Sequence, residues 1–527
     1  MLRRAVLVTS FLAMLALPLA AQRPVSAPVV PRSLPKGFDA YVARVMARYK
    51  VPGLTIAVVQ DGEVVLAKGY GVKTLGRPEP VTSRTSFAIA SNSKAFTATA
   101  LGLLVEDGKL KWDDRVIEYL PWFRLSNPYV SNEITVRDLL THRSGLGLGA
   151  GDLLIWPSTD YNREDIVRRL RFVPLSTSFR SSYAYDNVLY LVAGEVVKAV
   201  SGMSWEEFVQ RRILTPLGMR DASFLTGRKL LPTVATPHAE VSGRMQVVEA
   251  SIGTNTNPAG GILASAEDMA KWLQVQLDSG KVVGGKPLFS PRVTRQLWQM
   301  VTPIPAGAPP APLAPLKATF NGYALGFGVR DWRGQQLLTH TGGLAGFVSR
   351  VALLPGQRFG VVVLTNAESD AARDAIAWRL IDHAVGEDFD WLGAFDAASK
   401  LPGAGDNLDS DKPIVAKSPD ARPSMPLARY AGKFDDPWYG GVTITQEGAG
   451  LVMRFSHTPG MIGDLIAWGG ESFVVRWRDR TLRADAFVNF QLAPGGSIVA
   501  VRMAPVSPAV DFSYDFQDLL LKPVAAP

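Results

Sequence analysis

Short apolar runs predict β-strands near both ends of the first four hundred residues. These runs cover residues 54–59, 64–67, 337–340, 347–353 and 359–364. The first two are separated by Asp61-Gly62, and Asp-Gly between two β-rich runs is a strong hairpin signal. Residues 90–300 read mostly as helices and loops, and residues 369–385 have a helical composition. We therefore expect an α+β fold, in which an antiparallel sheet with flanking helices is joined to an all-helical region.

The pattern changes beyond residues 396–425, which read as a linker because they are rich in Pro, Gly, Ser and Asp. Residues 426–527 carry short apolar runs separated by glycines. These runs lie at residues 442–444, 451–453, 473–475 and 498–501. Short strands at this spacing predict a small all-β barrel or sandwich. The domain before the linker is expected to cover residues 37–395.

The N-terminus has the parts of a secretory signal peptide. Residues 1–4 are basic, residues 5–16 are apolar, and small residues stand at positions 20 and 21. A membrane-spanning helix would need about 20 apolar residues without the break at Pro18. Residues 1–21 are therefore predicted to be a signal peptide and residues 22–36 a Pro-rich tether. The mature protein would be exported, periplasmic or secreted, with no stable membrane anchor; an uncleaved anchor is the alternative.

The composition excludes several classes of protein. Hydrophobic residues make up 47% of the 527 residues and charged residues 20%, which excludes a disordered or collagen-like chain. The chain has no cysteine, so disulfides, thiolate metal sites and cysteine nucleophiles are excluded. Its formal net charge of +8 is spread along the chain without a run of five like charges. No nucleic-acid partner is therefore expected.

The first candidate for chemistry is the pair Ser91 and Lys94. Lys94 is the only charged residue from Thr85 to Val105, and residues 95–105 are apolar almost all round, as in a buried helix. Ser91 suits the start of that helix, and Lys94 would lie in its first turn on the same face. Burial and the positive end of the helix dipole both favour the neutral amine. A neutral amine within reach of a hydroxyl is what an activated serine needs.

Ser-x-x-Lys is a weak pattern by itself, because the chain contains a second copy at Ser33 and Lys36. That copy lies in the Pro-rich tether, where nothing would hold its side chains together. The helix context therefore distinguishes Ser91 as the candidate nucleophile.

A second candidate segment is Tyr185-Asp186-Asn187, which precedes an apolar helical run. No other tyrosine in the chain has Asn two residues later. A Tyr phenol can relay a proton to a leaving group, and an Asn amide can hold both the substrate and the lysine. The alternative is a Tyr-rich turn in which Asn187 caps the helix.

The third segment is His340-Thr341-Gly342-Gly343, at the end of a predicted strand. The two glycines permit close backbone approach, so a substrate could pair with this edge. The backbone N–H of Gly343 could complete an oxyanion hole with that of Ser91. The alternative is a glycine turn after a structural histidine.

These three segments, in this order and spacing, resemble those of the penicillin-recognising serine hydrolases. The resemblance is to class C β-lactamases and to their relatives, the D-aminopeptidases, D-alanyl-D-alanine carboxypeptidases and esterases. Those families carry Ser-x-x-Lys, then Tyr-x-Asn, then Lys-Thr-Gly or His-x-Gly. The resemblance covers about residues 37–390 and includes the segments 139–146, 257–261 and 323–328. The last hundred residues resemble the lipocalin-like barrel that some members append.

The resemblance implies a serine hydrolase that works through an acyl-enzyme and needs no metal or other cofactor. Ser91 would attack a carbonyl and Lys94 would act as the base. Tyr185 would protonate the leaving group, with a Tyr185 phenolate base as an open variant. The substrate would be oriented by Asn187, His340, Thr341 and Gly342. The expected substrates are short peptides with D-residues, amides or esters.

His340 is the main departure from the class C pattern. Class C β-lactamases carry Lys at this position, where it helps to hold the penicillin carboxylate. A neutral imidazole attracts a carboxylate less, so the esterase and peptidase relatives match better here. A β-lactamase is the alternative enzyme, and a β-lactam or peptidoglycan sensor without turnover is the alternative outside enzymes.

Other hydrolase mechanisms lack their motifs in this chain. It contains no G-x-S-x-G elbow and no H-E-x-x-H pair among its five His, so neither an α/β-hydrolase triad nor a catalytic zinc is expected. The sequence leaves open whether the C-terminal domain binds substrate, shapes the active-site rim or mediates oligomerisation. It also leaves open the oligomeric state.

Overall fold

The computed structural model of the chain describes residues 33–227, 230–249, 253–401 and 422–524. The predicted signal peptide at residues 1–21 lies outside these residues, as do residues 22–32 of the tether and residues 402–421 of the linker. Export and the domain boundaries drawn through these segments therefore stay predictions.

An antiparallel sheet of eight strands forms the centre of the first part of the chain. The strands before residue 370 are β1 (Gly53–Gln60), β2 (Glu63–Gly71), β3 (Phe87–Ala88), β4 (Ser223–Phe224), β5 (His238–Val241), β6 (Arg244–Val247), β7 (Ile262–Ala264), β8 (Thr302–Pro303), β9 (Asn321–Tyr323), β10 (Gly328–Trp332), β11 (Gln335–Leu344), β12 (Phe347–Leu354) and β13 (Phe359–Thr365). The order across the large sheet is β2-β1-β13-β12-β11-β10-β9-β8. The first strand thus pairs with the last, which confirms a sheet built from both ends. The β1–β2 hairpin turns at Asp61 and Gly62, as predicted.

Helices cover both faces of this sheet and fill the region between its halves. They are α1 (Phe38–Tyr49), α2 (Ser93–Glu106), α3 (Val116–Tyr119), α4 (Pro128–Glu133), α5 (Arg163–Arg169), α6 (Val188–Ser201), α7 (Trp205–Val209), α8 (Thr215–Leu217), α9 (Asn257–Gly260), α10 (Ala266–Leu277), α11 (Pro291–Trp298), α12 (Asp370–His383) and α13 (Trp391–Ala398). Alternate β1 residues Leu54, Ile56 and Val58 share a core with α1 and α12. Ala57 and Val59 point to the opposite face, where α10 packs. Because both faces are covered, β1 is buried along its whole length.

The helix that carries Lys94 lies deep in the helical region. Thirteen of the fourteen residues of α2 are buried, which confirms the apolar helix predicted from the sequence. Its neighbours are α6, α9 and α11. Among the described residues, no single helix is long and apolar enough to cross a membrane; α6 and the segment Trp205–Leu217 pass that test only as a pair, bent by 73°.

The C-terminal part is an eight-stranded antiparallel barrel. Its strands are β14 (Gly432–Asp436), β15 (Gly440–Glu447), β16 (Gly450–Phe455), β17 (Ile462–Gly469), β18 (Ser472–Trp477), β19 (Ala486–Leu492), β20 (Ile498–Pro505) and β21 (Lys522–Pro523). The strand order is β20-β19-β18-β17-β16-β15-β14-β21. Val501 and Leu521 exchange backbone hydrogen bonds of 2.8 and 3.1 Å, which nearly closes the barrel. The predicted all-β domain is therefore a barrel and not a sandwich.

The barrel packs directly against the helical region. The Tyr161 hydroxyl donates to Tyr439 O at 2.5 Å, and the Arg169 guanidinium donates to Trp438 O at 3.1 Å. Apolar residues of both parts belong to one continuous core. This packing brings the connection between β20 and β21 next to the site described below.

Candidate active site

A cavity of about 430 Å³ lies where β11, the start of α2 and the segment before α6 meet. All three segments singled out from the sequence contribute to its wall, through Ser91, Tyr185, Asn187, His340, Thr341 and Gly343. Aromatic and aliphatic side chains cover much of the rest, among them Ile155, Trp156, Tyr183, Tyr323 and Phe512. The fold thus brings distant parts of the chain into one concave site, the usual form of a small-molecule site.

Ser91 lies in a short 3-10 turn, Ala90–Asn92, that leads directly into α2. Ala90 is in the left-handed region, with a φ of 49°, which is strained for a residue with a side chain. The Asn92 side chain stabilises the turn, because its amide donates to Ile89 O at 3.2 Å and to Ser349 Oγ at 2.8 Å. The turn presents the half-buried Ser91 hydroxyl to the cavity.

Lys94 is fully buried, and its Nζ has three oxygen neighbours. Ser91 Oγ lies at 3.1 Å, Asn187 Oδ1 at 2.7 Å and Ala259 O at 2.9 Å. The last two can only accept, so they bind the two N–H groups of a neutral amine and leave its lone pair for the Ser91 O–H. Burial lowers the pKa of Lys94 to about 7, although nearby Asp152 and Asp186 act in the opposite direction. An amine in this state can accept the Ser91 proton near neutral pH.

Tyr185 has the environment of a proton donor. It lines the same cavity as Ser91, and its ring centroid lies 4.9 Å from Lys94 Nζ. Burial raises the pKa of the phenol well above its usual value, so the phenol keeps its proton at neutral pH. The ring of His142, from the segment 139–146, packs against it with 4.3 Å between centroids.

Asn187 occupies the residue before α6, but its side chain makes no cap hydrogen bond to that helix. Its Nδ2 donates instead to Asp152 Oδ2 at 2.7 Å. This contact orients the amide so that its oxygen faces Lys94. The side chain therefore links the buried amine to a buried carboxyl group, and the helix-cap alternative does not describe it.

Two buried carboxyl groups, Asp152 and Asp186, act electrostatically on Lys94. Burial raises the pKa of Asp152 to about 7 and that of Asp186 to about 8. Removal from water thus brings three groups of this site into the range where they change charge near neutral pH. Asp152 had no sequence signal, since an acidic residue between glycine and leucines in a loop carries no pattern. In the described parts of the chain, no three His, Asp or Glu side chains are grouped so that they could hold a metal ion.

His340 is buried, and both of its ring nitrogens have partners within the protein. Nδ1 lies 2.5 Å from Thr341 O, and Nε2 lies 2.8 Å from the Tyr323 hydroxyl. A carbonyl cannot donate, so Nδ1 carries the hydrogen and Nε2 accepts from Tyr323. Burial and the charge of Lys94 lower the pKa of His340 to about 3. The imidazole is therefore neutral at physiological pH.

The strand around His340 is longer than the sequence predicted. The expected end at residue 340 is wrong, because β11 continues to Leu344. Gly342 and Gly343 pair with Ser349 and Val348 of β12, although they lack the side chains by which an apolar strand pattern is recognised. Thr341 and Gly343 are exposed on this strand and line the cavity beside Ser91. The roles of Thr341 and Gly342 in orienting substrate, and of Gly343 N–H in an oxyanion hole, stay predictions.

Arg350 is a charged residue of the cavity wall that the sequence did not reveal. It lies on β12 opposite Thr341. Its guanidinium donates to both carboxylate oxygens of Asp374, at 2.8 and 3.0 Å. This bidentate pair places a carboxylate directly against the Arg350 charge, and the same carboxylate also accepts from Arg373 Nε at 2.7 Å.

The barrel also contributes to the cavity wall, through Asp511, Phe512 and Ser513. The Phe512 ring meets the Tyr185 ring edge-on, with 6.0 Å between centroids. The sequence left the position of the C-terminal domain open, because nothing local shows which loop of a barrel meets another domain. In the fold, the domain forms part of the active-site rim.

Comparison with known proteins agrees with this architecture. A family model described as Beta-lactamase matches residues 38–386, and a model described as a domain of unknown function (DUF3471) matches residues 416–523. The chain is 29% identical over 450 residues to a protein named unguisins hydrolase ungD from Aspergillus violaceofuscus, covering 80% of this chain and 78% of that protein. It is 28% identical over 333 residues to penicillin-binding protein 4 of Amycolatopsis lactamdurans, covering 60% and 81%.

Solved structures share the fold over both parts of the chain. The octameric penicillin-binding protein homologue from Pyrococcus abyssi aligns with 92% of this chain and 99% of its own, with a TM-score of 0.57 and 21% identity. The crystal structure of SurE aligns with 93% of this chain and 98% of its own, with a TM-score of 0.52 and 21% identity. At this identity the likeness supports the fold alone.

Proposed function

The chain belongs to the beta-lactamase family, and on that premise we propose that it is an exported serine hydrolase that cleaves amide or ester bonds through an acyl-enzyme. The observation that carries this proposal is the 3.1 Å contact between Ser91 Oγ and Lys94 Nζ. It joins a hydroxyl in a cavity wall to a fully buried amine whose pKa is lowered to about 7. Such an amine is about half neutral at pH 7, as a general base requires.

The proposed acylation begins when Ser91 Oγ bonds to the substrate carbonyl carbon and its proton moves to Lys94 Nζ. The carbonyl oxygen becomes an oxyanion, for which the backbone N–H groups of Ser91 and Gly343 are the proposed donors. Collapse of this intermediate breaks the C–N or C–O bond, and the Tyr185 phenol gives its proton to the leaving group. Lys94 then returns a proton to Tyr185. A water molecule hydrolyses the acyl-enzyme by the same transfers in reverse.

The surroundings of Tyr185 support Lys94, and not a Tyr185 phenolate, as the base. Burial raises the pKa of Tyr185 well above its usual value. The same cause lowers the pKa of Lys94 to about 7. Removal from water favours the uncharged form of each group, which leaves the lysine as a proton acceptor and the tyrosine as a proton donor.

The proposed substrates are short peptides with D-residues, other amides and esters, with β-lactams as the alternative. Neutral His340 offers no charge to a substrate carboxylate, and Arg350 is already paired with Asp374. The many aromatic and aliphatic side chains of the wall suit an uncharged group next to the scissile bond. Among the relatives, one is named a hydrolase and another a penicillin-binding protein. A hydrolase releases its acyl group and turns over, whereas a sensor that only binds stays acylated, so turnover of substrate after acylation distinguishes the two.

A fluorophosphonate probe tests the nucleophile. Wild-type protein is expected to be labelled on Ser91, and Ser91→Ala is expected to lose labelling and turnover of a p-nitrophenyl ester. Ser33→Ala is the matched control, because Ser33 begins the second Ser-x-x-Lys copy and is exposed on the surface. Labelling that persists in Ser91→Ala would overturn the mechanism. Intact mass of the labelled protein from the periplasm or medium also tests export, since loss of residues 1–21 is expected.

A further inference from the structure

The connection between β20 and β21 reaches from the barrel to the buried carboxyl group of the active site. The Ser513 hydroxyl donates to Asp152 Oδ2 at 2.9 Å. The Asp515 carboxyl group accepts from the backbone N–H of Gly151 at 2.6 Å and from that of Leu153 at 3.0 Å. The C-terminal domain thus binds the side chain of Asp152 through Ser513, and it binds the backbone of the two neighbouring residues, Gly151 and Leu153, through Asp515.

The hydrogen bonds continue from Asp152 to the catalytic amine. Asp152 Oδ2 also accepts from Asn187 Nδ2 at 2.7 Å, and Asn187 Oδ1 accepts from Lys94 Nζ at 2.7 Å. An amide that donates to a carboxylate must turn its oxygen the other way. The position of the carboxylate therefore decides which Asn187 atom faces Lys94, and with it where the lone pair of the neutral amine points.

We infer that Ser513 is a positioning residue supplied by the C-terminal domain, which acts on Lys94 through Asp152 and Asn187. The inference rests on the proposed function, since it gives Lys94 the part of the base.

The burial of these groups explains why one hydroxyl matters. Ser513, Asp152 and Asp515 are all buried, so loss of one hydrogen-bond donor leaves a buried polar group with a partner missing. Among the described residues, Ser513 and Asn187 are the two side chains that donate to Asp152, and both favour its charged form. Without the Ser513 hydroxyl, the carboxylate keeps one donor of two. We expect it to hold the Asn187 amide less well and to accept a proton more readily.

The experiment compares Ser513→Ala with Ser507→Ala in the full-length protein. Ser507 lies in the same connection, and within the described part of the chain its hydroxyl has one hydrogen bond, which it accepts from Ala509 N–H of its own turn. Steady-state rates on a p-nitrophenyl ester are divided by the number of sites titrated with fluorophosphonate, so that misfolded molecules do not count. We expect kcat of Ser513→Ala to fall about tenfold, equivalent to about 1.4 kcal/mol, with KM changed less than twofold. Ser507→Ala should match the wild type.

Rescue separates positioning from packing. Ser513→Thr keeps the hydroxyl and is expected to regain most of the kcat lost in Ser513→Ala. Ser513→Val has nearly the same size as the Thr variant but lacks the hydroxyl, so it should behave like Ser513→Ala. If Ser513→Ala does not fold, this isosteric pair makes the same comparison. Unchanged kcat in Ser513→Ala, or equal losses in the Thr and Val variants, would overturn the inference. Absence of Ser91 labelling in the wild type would overturn the proposed function itself, which is a different result.

Discussion

Gly342 is the position at which one added methyl group should damage the active site most directly. The strand β11 passes so close to the turn before Ser91 that a Cβ on Gly342 would lie 2.4 Å from Ile89 O and 2.5 Å from Ser349 Oγ. Ordinary contacts of a Cβ begin near 3.4 Å. Either the strand or the turn must therefore move by about 1 Å, because the added methyl group overpacks a site that is already filled.

The free-energy cost of Gly342→Ala follows from what must move. Ile89 O accepts from the Ser349 hydroxyl at 2.7 Å and from the Asn92 backbone N–H at 3.1 Å. Overpacking costs about 1–3 kcal/mol, and loss of one buried hydrogen bond adds about 1 kcal/mol. We expect the free energy of unfolding to fall by about 2–4 kcal/mol. The same displacement carries Ser91 with it, so the labelling rate should fall as well.

Gly343→Ala is the matched control. Among the residues that the structure describes, nothing lies within 4 Å of a Cβ built on Gly343, so we expect the added methyl group to cause no clash. We expect Gly342→Ala to lower the denaturant midpoint. The free energy of unfolding of Gly343→Ala should stay within about 0.5 kcal/mol of wild type, as at an unconstrained surface site. Equal unfolding midpoints for the two variants would refute the close approach of β11 to the turn that carries Ser91.

Two further predictions concern charge. Because burial places the pKa of Lys94 at about 7, kcat/KM should fall about tenfold per pH unit below pH 7 as the amine gains a proton. Lys94→Arg, which stays protonated, should lose at least about 100-fold at every pH; a flat profile, or near-normal turnover in Lys94→Arg, would remove Lys94 as the base. His340 is neutral, so the wild type should prefer a p-nitrophenyl ester to a penicillin, and His340→Lys should shift that preference towards the penicillin by about 1–3 kcal/mol. A kcat/KM ratio that the substitution leaves unchanged would show that position 340 only shapes the strand.

The local sequence pattern was sufficient to predict elements that have a distinctive turn sequence or that are buried on every side. The β1–β2 hairpin has a turn sequence that few other conformations accept, and α2 has apolar residues on every side because it is buried on every side. The pair Ser91 and Lys94 could be found for the same reason, since a lone charge in an apolar helix needs a chemical explanation. Strand ends were harder: the extension of β11 through Gly342 and Gly343 comes from pairing with β12, which leaves no mark on the strand's own composition.

The partners of the motif residues were decided only by the tertiary structure. Asp152 and Arg350 look like ordinary loop or strand residues on their own, and their partners Asn187 and Asp374 lie 35 and 24 residues away in the chain. Ser513 and Asp515 come from another domain, and their contacts exist only because the barrel packs against the helical region. The local spacing of residues in a sequence indicates which side chains are candidates for catalysis. The pKa values and orientations on which that chemistry depends come from burial and long-range contacts, which arise only when the chain is folded.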